Sequence, residues 1–330
     1  MRVVVAGGAG YVGSRLVPAL LEKGHDVVVY DLFLYGEDIF DSIKTNPHLT
    51  LIKADIRDLA SVEKSLQGCD AVIHLACISN DPSFELNPDL GKSINLDAFE
   101  PFVLLAKQAK VKRFIFASSS SVYGVKSEPN VVEEMSLEPL TDYSRFKAEC
   151  EQILLKHMAP DFICSILRPA TVCGYAPRQR LDVIVNILTN CAYHTGKVKV
   201  TGGAQMRPNV HIEDMVRAYL HVLDMPAEKI QGEIFNVGAD NHSVLELGQM
   251  AQRIVNKKRP VDLVIEPTND PRSYRVSSEK IDKKLGFKPQ FSIENAIEDL
   301  VEAFEKGKLP NSMSDDKYFN IKTMKAVNLV

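Results

Sequence analysis

A chain of 330 residues with 45% apolar and 25% charged side chains has a globular composition, which excludes fibrous and disordered classes and suggests about two domains. Its 39 Lys and Arg against 43 Asp and Glu give a net charge of −4, so no basic excess exists to neutralise a nucleic-acid backbone. Six scattered cysteines without a Cys-x-x-Cys pair read as reduced thiols rather than a disulfide framework, and no apolar run approaches the roughly 20 residues that span a bilayer. A cytoplasmic protein with neither nucleic-acid nor membrane partners is expected.

Short β-branched runs alternate with helical patterns through the first half. Val3–Ala6, Val27–Tyr30, Leu49–Ile52, Ala71–Ile73, Phe114–Phe116 and Ile163–Leu167 are almost continuously apolar, as strands buried on both faces should be. Helical stretches lie between them, at about 11–23, 59–66, 88–109 and 142–158. This alternation predicts an α/β fold with a doubly wound parallel sheet. Beyond Arg168-Pro169 the rhythm loosens, with helices expected at 181–194, 213–224, 244–256, 278–285 and 292–305. Short strands are expected near 197–200, 209–212, 233–236 and 262–265. The reading is a doubly wound α/β domain over 1–170 and a smaller α/β lobe over 171–330, with 205–230 returning to the sheet. After about 306 the chain is polar and loosely patterned.

Gly7-Gly8-Ala9-Gly10-Tyr11-Val12-Gly13 follows the first strand and opens the first helix. Glycines at this junction permit a tight turn and let backbone approach a pyrophosphate seated on the helix N-terminus. Asp31 ends the second strand 18 residues after Gly13, where an acid can accept hydrogen bonds from ribose hydroxyls. The pattern predicts a Rossmann-type dinucleotide site. Leu32 and Phe33 follow Asp31, with no adjacent cation for a 2′-phosphate, so NAD is favoured over NADP. Asp55 and Ile56, after the third strand, either meet adenine or, for the acid, cap the next helix.

Tyr143 and Lys147 fall one turn apart on the same face of a helix. A phenol of pKa near 10 needs its pKa lowered by about three units, roughly 4 kcal/mol, to act as a base at neutral pH. A neighbouring ammonium contributes to that shift. The run Ala117-Ser118-Ser119-Ser120-Ser121-Val122-Tyr123-Gly124 places hydroxyls at the carboxyl edge of the sheet, where ligands bind.

These motifs together resemble the extended short-chain dehydrogenase/reductases, in particular the nucleotide-sugar epimerase/dehydratase group. The matching pieces include Gly7-x-x-Gly10-x-x-Gly13, His74-Leu75-Ala76, Asn95, Val122-Tyr123-Gly124, Tyr143-x-x-x-Lys147 and Arg168-Pro169. Arg207 with Val210-His211-Ile212-Glu213-Asp214, Asn236-Val237-Gly238 and Leu285-Gly286-Phe287 also match, so the resemblance runs to about residue 305. It implies bound NAD, a nucleoside-diphosphate sugar as substrate, hydride removal at a sugar carbon (usually C4) and a homodimer. By the same resemblance Tyr143 is the acid/base, Lys147 tunes it and holds the ribose, and Ser119 donates to the sugar oxygen, with Ser118 and Ser120 as neighbouring alternatives. Gly7, Gly10, Tyr11, Val12, Gly13, Leu75, Ala76, Asn95 and Pro169 would line the cofactor. Ser120, Thr171, Arg207 and Arg272 would meet the sugar nucleotide, with Arg178 and Arg180 replacing or assisting the two arginines. The dehydratases of the group carry Asp-Glu where this chain has Ser120-Ser121, which favours C4 epimerisation. A C4 keto-sugar reductase is the nearest alternative, and a non-catalytic dinucleotide-sensing scaffold the remotest. The dimer expectation also draws on the apolar excess of Phe99, Phe102, Val103, Leu104 and Ala106.

Overall fold

The structure, a computed structural model, describes residues 1–79, 81–84, 86–268 and 273–327. Its strands are β1 (Arg2–Ala6), β2 (Asp26–Asp31), β3 (Leu49–Lys53), β4 (Ala71–His74), β5 (Arg113–Ala117) and β6 (Ile163–Pro169). They continue with β7 (Thr171–Cys173), β8 (Lys197–Thr201), β9 (Met206–His211), β10 (Glu233–Val237), β11 (Asp240–Ser243) and β12 (Asp262–Glu266). Seven of them build a parallel sheet in the order β10-β6-β5-β4-β1-β2-β3.

The continuous apolar runs resolve into two layers because successive side chains leave a strand on opposite faces. Val3, Val5, Val27, Val29 and Ile73 meet Leu16, Val17 and Leu20 of the helix Gly13–Glu22, and Met215, Tyr219 and Leu223 of the helix Ile212–Asp224. Val4, Val28, Val72, Phe114 and Phe116 face the other way, against Leu66, Phe99, Phe102 and Leu154. The chain order reverses at β1, whose neighbours are β2 and β4, so the loops after β1 and β4 diverge and leave a crevice between them.

The second lobe packs the helices Ile184–Thr195, Val244–Val255 and Ile293–Glu305 with the parallel pair β8–β12. A three-stranded sheet, β11-β9-β7, lies beside it. The returning segment is displaced from 205–230 toward the C-terminus: β9 pairs with β7 and β11, the helix Ile212–Asp224 covers the large sheet, and β10 becomes its edge.

The stretch 88–109 is not one helix. It comprises Pro88–Lys92, a π turn over Ser93–Asp97 and a helix over Phe99–Gln108. The Asn95 amide uses both of its ends on Ile78, accepting from its N–H at 2.8 Å and donating to its carbonyl at 2.9 Å. That clamp on a neighbouring loop accounts for a widened turn inside a helical pattern. Phe99, Phe102, Val103 and Ala106 are buried in the chain's own core and only Leu104 is exposed, so the apolar excess read from the sequence is taken up internally. Beyond residue 306 a short 3-10 turn (Asp316–Tyr318) and a helix (Asn320–Val327) are formed.

Candidate active site

The loop after β1 forms the floor of the crevice. Gly7 has φ +79°, and a Cβ there would stand 2.5 Å from the Ala76 backbone nitrogen, while a Cβ on Gly13 would stand 2.3 Å from the Gly8 carbonyl. Only glycine satisfies both approaches. No side chain caps the helix that begins at Gly13; the Ser14, Arg15 and Leu16 N–H groups are met by the Gly10 and Val12 carbonyls, and the positive end of the helix dipole faces the loop. The buried Tyr11 hydroxyl donates to the Gly174 carbonyl at 2.6 Å and pins this loop to the second lobe.

Asp31, at the end of β2, lines the same crevice. Its carboxylate accepts from the N–H of Ala9 at 2.9 Å and of Phe33 at 2.8 Å. Burial pushes its pKa up, against the pull of those donors and of the Arg178 charge. The sequence offers no cation next to Asp31; the fold supplies one from 147 residues away, which chain-neighbour reasoning cannot find. Ile56 lines the cavity, but Asp55 does not. Its carboxylate is gripped by Arg57 (Oδ2–Nη2 2.7 Å), and that ion pair outweighs burial to hold its pKa below the usual carboxylate value. Nor does Asp55 cap the following helix: Asp58 does, accepting from Ser61 N–H at 3.2 Å.

The helix Asp142–His157 carries Tyr143 and Lys147 into the same cavity as the serine run. A reciprocal cap between Thr141 and Ser144 fixes its start, so Tyr143 sits in the first turn with little freedom to fray. The Lys147 ammonium donates to the Ala117 carbonyl at 2.7 Å and lies 4.8 Å from the centre of the Phe116 ring. Within the run the serines divide. Ser118 Oγ donates to the buried carboxylate of Glu151. Ser119 accepts from the Ser121 N–H at 3.1 Å, and Ser120 Oγ lies 3.2 Å from the Tyr274 hydroxyl. Glu151 in turn holds Arg168 through two bonds, of 2.9 and 2.6 Å, and Arg168 donates to Tyr123 at 2.8 Å.

Gly7, Gly10, Tyr11, Val12, Gly13, Asp31, Ile56, Leu75, Ala76, Ser119, Ser120, Tyr143, Lys147, Pro169, Thr171, Arg178, Arg180 and Arg207 line one cavity of about 840 Å³, a size typical of ligand and cofactor sites. Asn95 is absent from its wall because its amide is spent on Ile78. Arg272 lies outside the described residues. Burial alone would lower the pKa of Arg180, but its pair with Asp182 (Nε–Oδ1 2.6 Å) outweighs that and raises it, and Tyr143 is within its electrostatic reach. Sequence reasoning missed Tyr35, Asn320 and Met324, which also line the wall; the last two come from the tail, where no pattern marks them. The glycine cradle, the uncapped helix end, Asp31 and Lys147 in one cavity fit a dinucleotide.

The chain is similar to several known proteins. UDP-glucose 4-epimerase of Lactobacillus helveticus is 29% identical over 311 residues, covering 88% of this chain and 92% of that protein. An uncharacterized UDP-glucose epimerase of Bacillus subtilis is 30% identical, covering 90% and 96%. A crystal structure of UDP-glucuronic acid 4-epimerase from Bacillus cereus, in complex with UDP-glucuronic acid and NAD, superposes with TM-score 0.83 at 26% identity over 93% of this chain and 99% of that one. Residues 3–238 match the NAD dependent epimerase/dehydratase family, and on that match the chain belongs to it.

Proposed function

We propose that the protein is an NAD-dependent nucleotide-sugar epimerase acting at C4 through a 4-keto intermediate. One observation carries the choice within the family. Among the described residues the only carboxylates lining the cavity are Asp31 and Asp182. Asp31 stands at the adenosine end, and Asp182 is engaged by Arg180 and by the Asn320 N–H at 2.9 Å. Eliminating water across C5–C6 needs a further acid/base pair beside the sugar, and the wall offers serines there instead.

Bound NAD would supply a hydride acceptor and donor at a single sugar carbon. Gly7, Gly10, Tyr11, Val12 and Gly13 would hold its pyrophosphate, Asp31 its adenosine ribose, and Ile56, Leu75, Ala76 and Pro169 would pack against it. Tyr143 takes the C4 hydroxyl proton and later returns it, and Ser119 donates to the same oxygen. Lys147, fixed by the Ala117 carbonyl, presents its charge to the Tyr143 phenol and its remaining N–H donors to the nicotinamide ribose. Thr171, Ser120, Arg180 and Arg207 hold the sugar nucleotide, for which UDP-sugars are the class suggested by the relatives' names. Residues 1–170 with the returning helix and strand serve the cofactor, and the rest of 171–330 the sugar.

The test uses UDP-glucose carrying deuterium at C4. An epimerase returns the label to C4 of the product, with no solvent deuterium at C3 or C5. Release of a 6-deoxy-4-keto sugar, or net consumption of reduced cofactor, refutes the reading in favour of a dehydratase or a reductase. The homodimer is tested by light scattering, where a mass near 36.7 kDa at micromolar concentration refutes it.

A further inference from the structure

The tail after residue 306 crosses from one lobe to the other. Leu309 and Tyr318 pack with Leu181, Leu300 and Phe304, and the Leu181 N–H donates to the Tyr318 carbonyl at 2.9 Å. Asn320 then reaches the nucleotide lobe, its amide donating to Ser79 Oγ at 2.8 Å. Met324 is buried beside Ile78 and Ile94. Asn320 and Met324 both line the cofactor cavity.

The carbonyl end of the Asn320 amide accepts from Arg178. That arginine is only 4% exposed, stacks 3.5 Å above the Tyr35 ring and has no hydrogen-bond partner at Nε. Among the described residues no carboxylate forms an ion pair with it. Burial lowers its pKa to about 10, yet it stays cationic at neutral pH. A desolvated guanidinium held by a neutral amide is costly unless an anion arrives to match it. Its place identifies which anion. The Arg178 backbone N–H donates to Ser14 Oγ at 3.2 Å, in the first turn of the uncapped helix, and the guanidinium charge acts on Asp182 and Asp31. The residue is thus tied at its backbone to the pyrophosphate end of that helix, with its charge in reach of the ribose acid.

We propose that Arg178 is the counter-charge for the pyrophosphate of NAD, and that the C-terminal segment, through Asn320, straps it in place so that the cofactor stays bound between turnovers. This moves Arg178 from the sugar nucleotide to the cofactor. It rests on the epimerase reading only for its purpose: a reaction that returns its own hydride has no need to exchange the nucleotide. Leaving would require the pyrophosphate to part from a desolvated guanidinium, beneath a segment tied to both lobes.

Asn320→Asp tests the proposal by placing a carboxylate against Arg178. The internal ion pair then competes with the pyrophosphate, and the dissociation constant for NAD, measured by calorimetry on protein stripped of nucleotide, should rise at least tenfold. The melting temperature of the stripped protein should hold or increase, and the affinity for UDP should not change. Arg178→Lys keeps the charge but loses the fork, and should weaken NAD binding in the same direction. Wild-type NAD affinity in both variants, while Asp31→Ala loses it, overturns the proposal and leaves the cofactor site intact. So does a loss of UDP affinity with NAD binding unchanged, which would return Arg178 to the sugar nucleotide. If Asp31→Ala also binds NAD normally, the cofactor site itself has been misplaced.

Discussion

Replacing Glu151 by glutamine should destabilise the protein more than replacing both members of its ion pair. Glu151 is 0% and Arg168 2% exposed, and the carboxylate takes two hydrogen bonds from the guanidinium and one from Ser118. Glutamine keeps the shape but leaves the Arg168 charge without a counter-ion and turns an amide NH2 toward guanidinium donors. Breaking a buried pair this way costs about 3–5 kcal/mol, a large share of the roughly 5–15 kcal/mol that holds a domain folded. The double variant Glu151→Met with Arg168→Met removes both charges together. Tyr123 still donates to Asn236 at 2.7 Å, so the remaining losses are the partners of the Ser118 hydroxyl and of the Glu133 carbonyl, two neutral groups that cost about 1 kcal/mol each at the low end for a lost buried partner. The chain has no tryptophan, so urea unfolding is followed by far-ultraviolet circular dichroism on nucleotide-free protein. A single variant within about 1 kcal/mol of wild type, or a double variant as unstable as the single one, would refute the electrostatic account of this network.

Tyr143→Phe should lower turnover by about 10² to 10⁴ while NAD stays bound, whereas Lys147→Ala should lose activity and weaken NAD binding too; steady-state kinetics and calorimetry separate the two. Gly7→Ala forces a Cβ onto the Ala76 backbone at a φ of +79°, so a folded variant should bind NAD poorly, and wild-type affinity would contradict the cradle. His74 is buried among Phe99, Phe102, Phe114 and Phe116, and burial lowers its pKa to about 3. The unfolded chain takes up a proton there below the ordinary value of about 6.5 and the folded chain does not, so stability falls with acidification. Between pH 7 and pH 5 this one group accounts for about 2 kcal/mol, and His74→Leu should remove that part of the slope in urea titrations.

The central sheet was legible because its inner strands are buried on both faces: Val3-Val4-Val5 and Val27-Val28-Val29 carry no polar residue to confuse the period. β11, by contrast, is Asp-Asn-His-Ser and pairs antiparallel with β9, so no apolar pattern announces it. The same contrast separates the parts of the site. The glycine loop, Asp31 and the Tyr143–Lys147 pair are local in the chain, and spacing marks them. Asp55 stayed ambiguous because an acid after a strand looks alike whether it faces a ligand, caps the next helix or, as here, pairs with its neighbour Arg57. Asn95 misled because an amide facing Ile78 and one facing a cofactor occupy the same sequence position. Arg178 and Asn320 meet across 142 residues, and nothing in either neighbourhood foretells the other.

The edge position of β10 has a consequence for the growing chain. β6 ends at Pro169, but the strand that covers its outer side, from Glu233 to Val237, is made only after much of the second lobe. The helix that shields Val3 and Val5, Ile212–Asp224, is made late as well. At about 5–20 residues per second, a nascent chain that has already paired β1 through β6 carries an open strand and an uncovered apolar face for several seconds. Such an edge can recruit a strand from another chain. Stalled synthesis between residues 170 and 237 should therefore yield an aggregating fragment rather than a free-standing nucleotide domain.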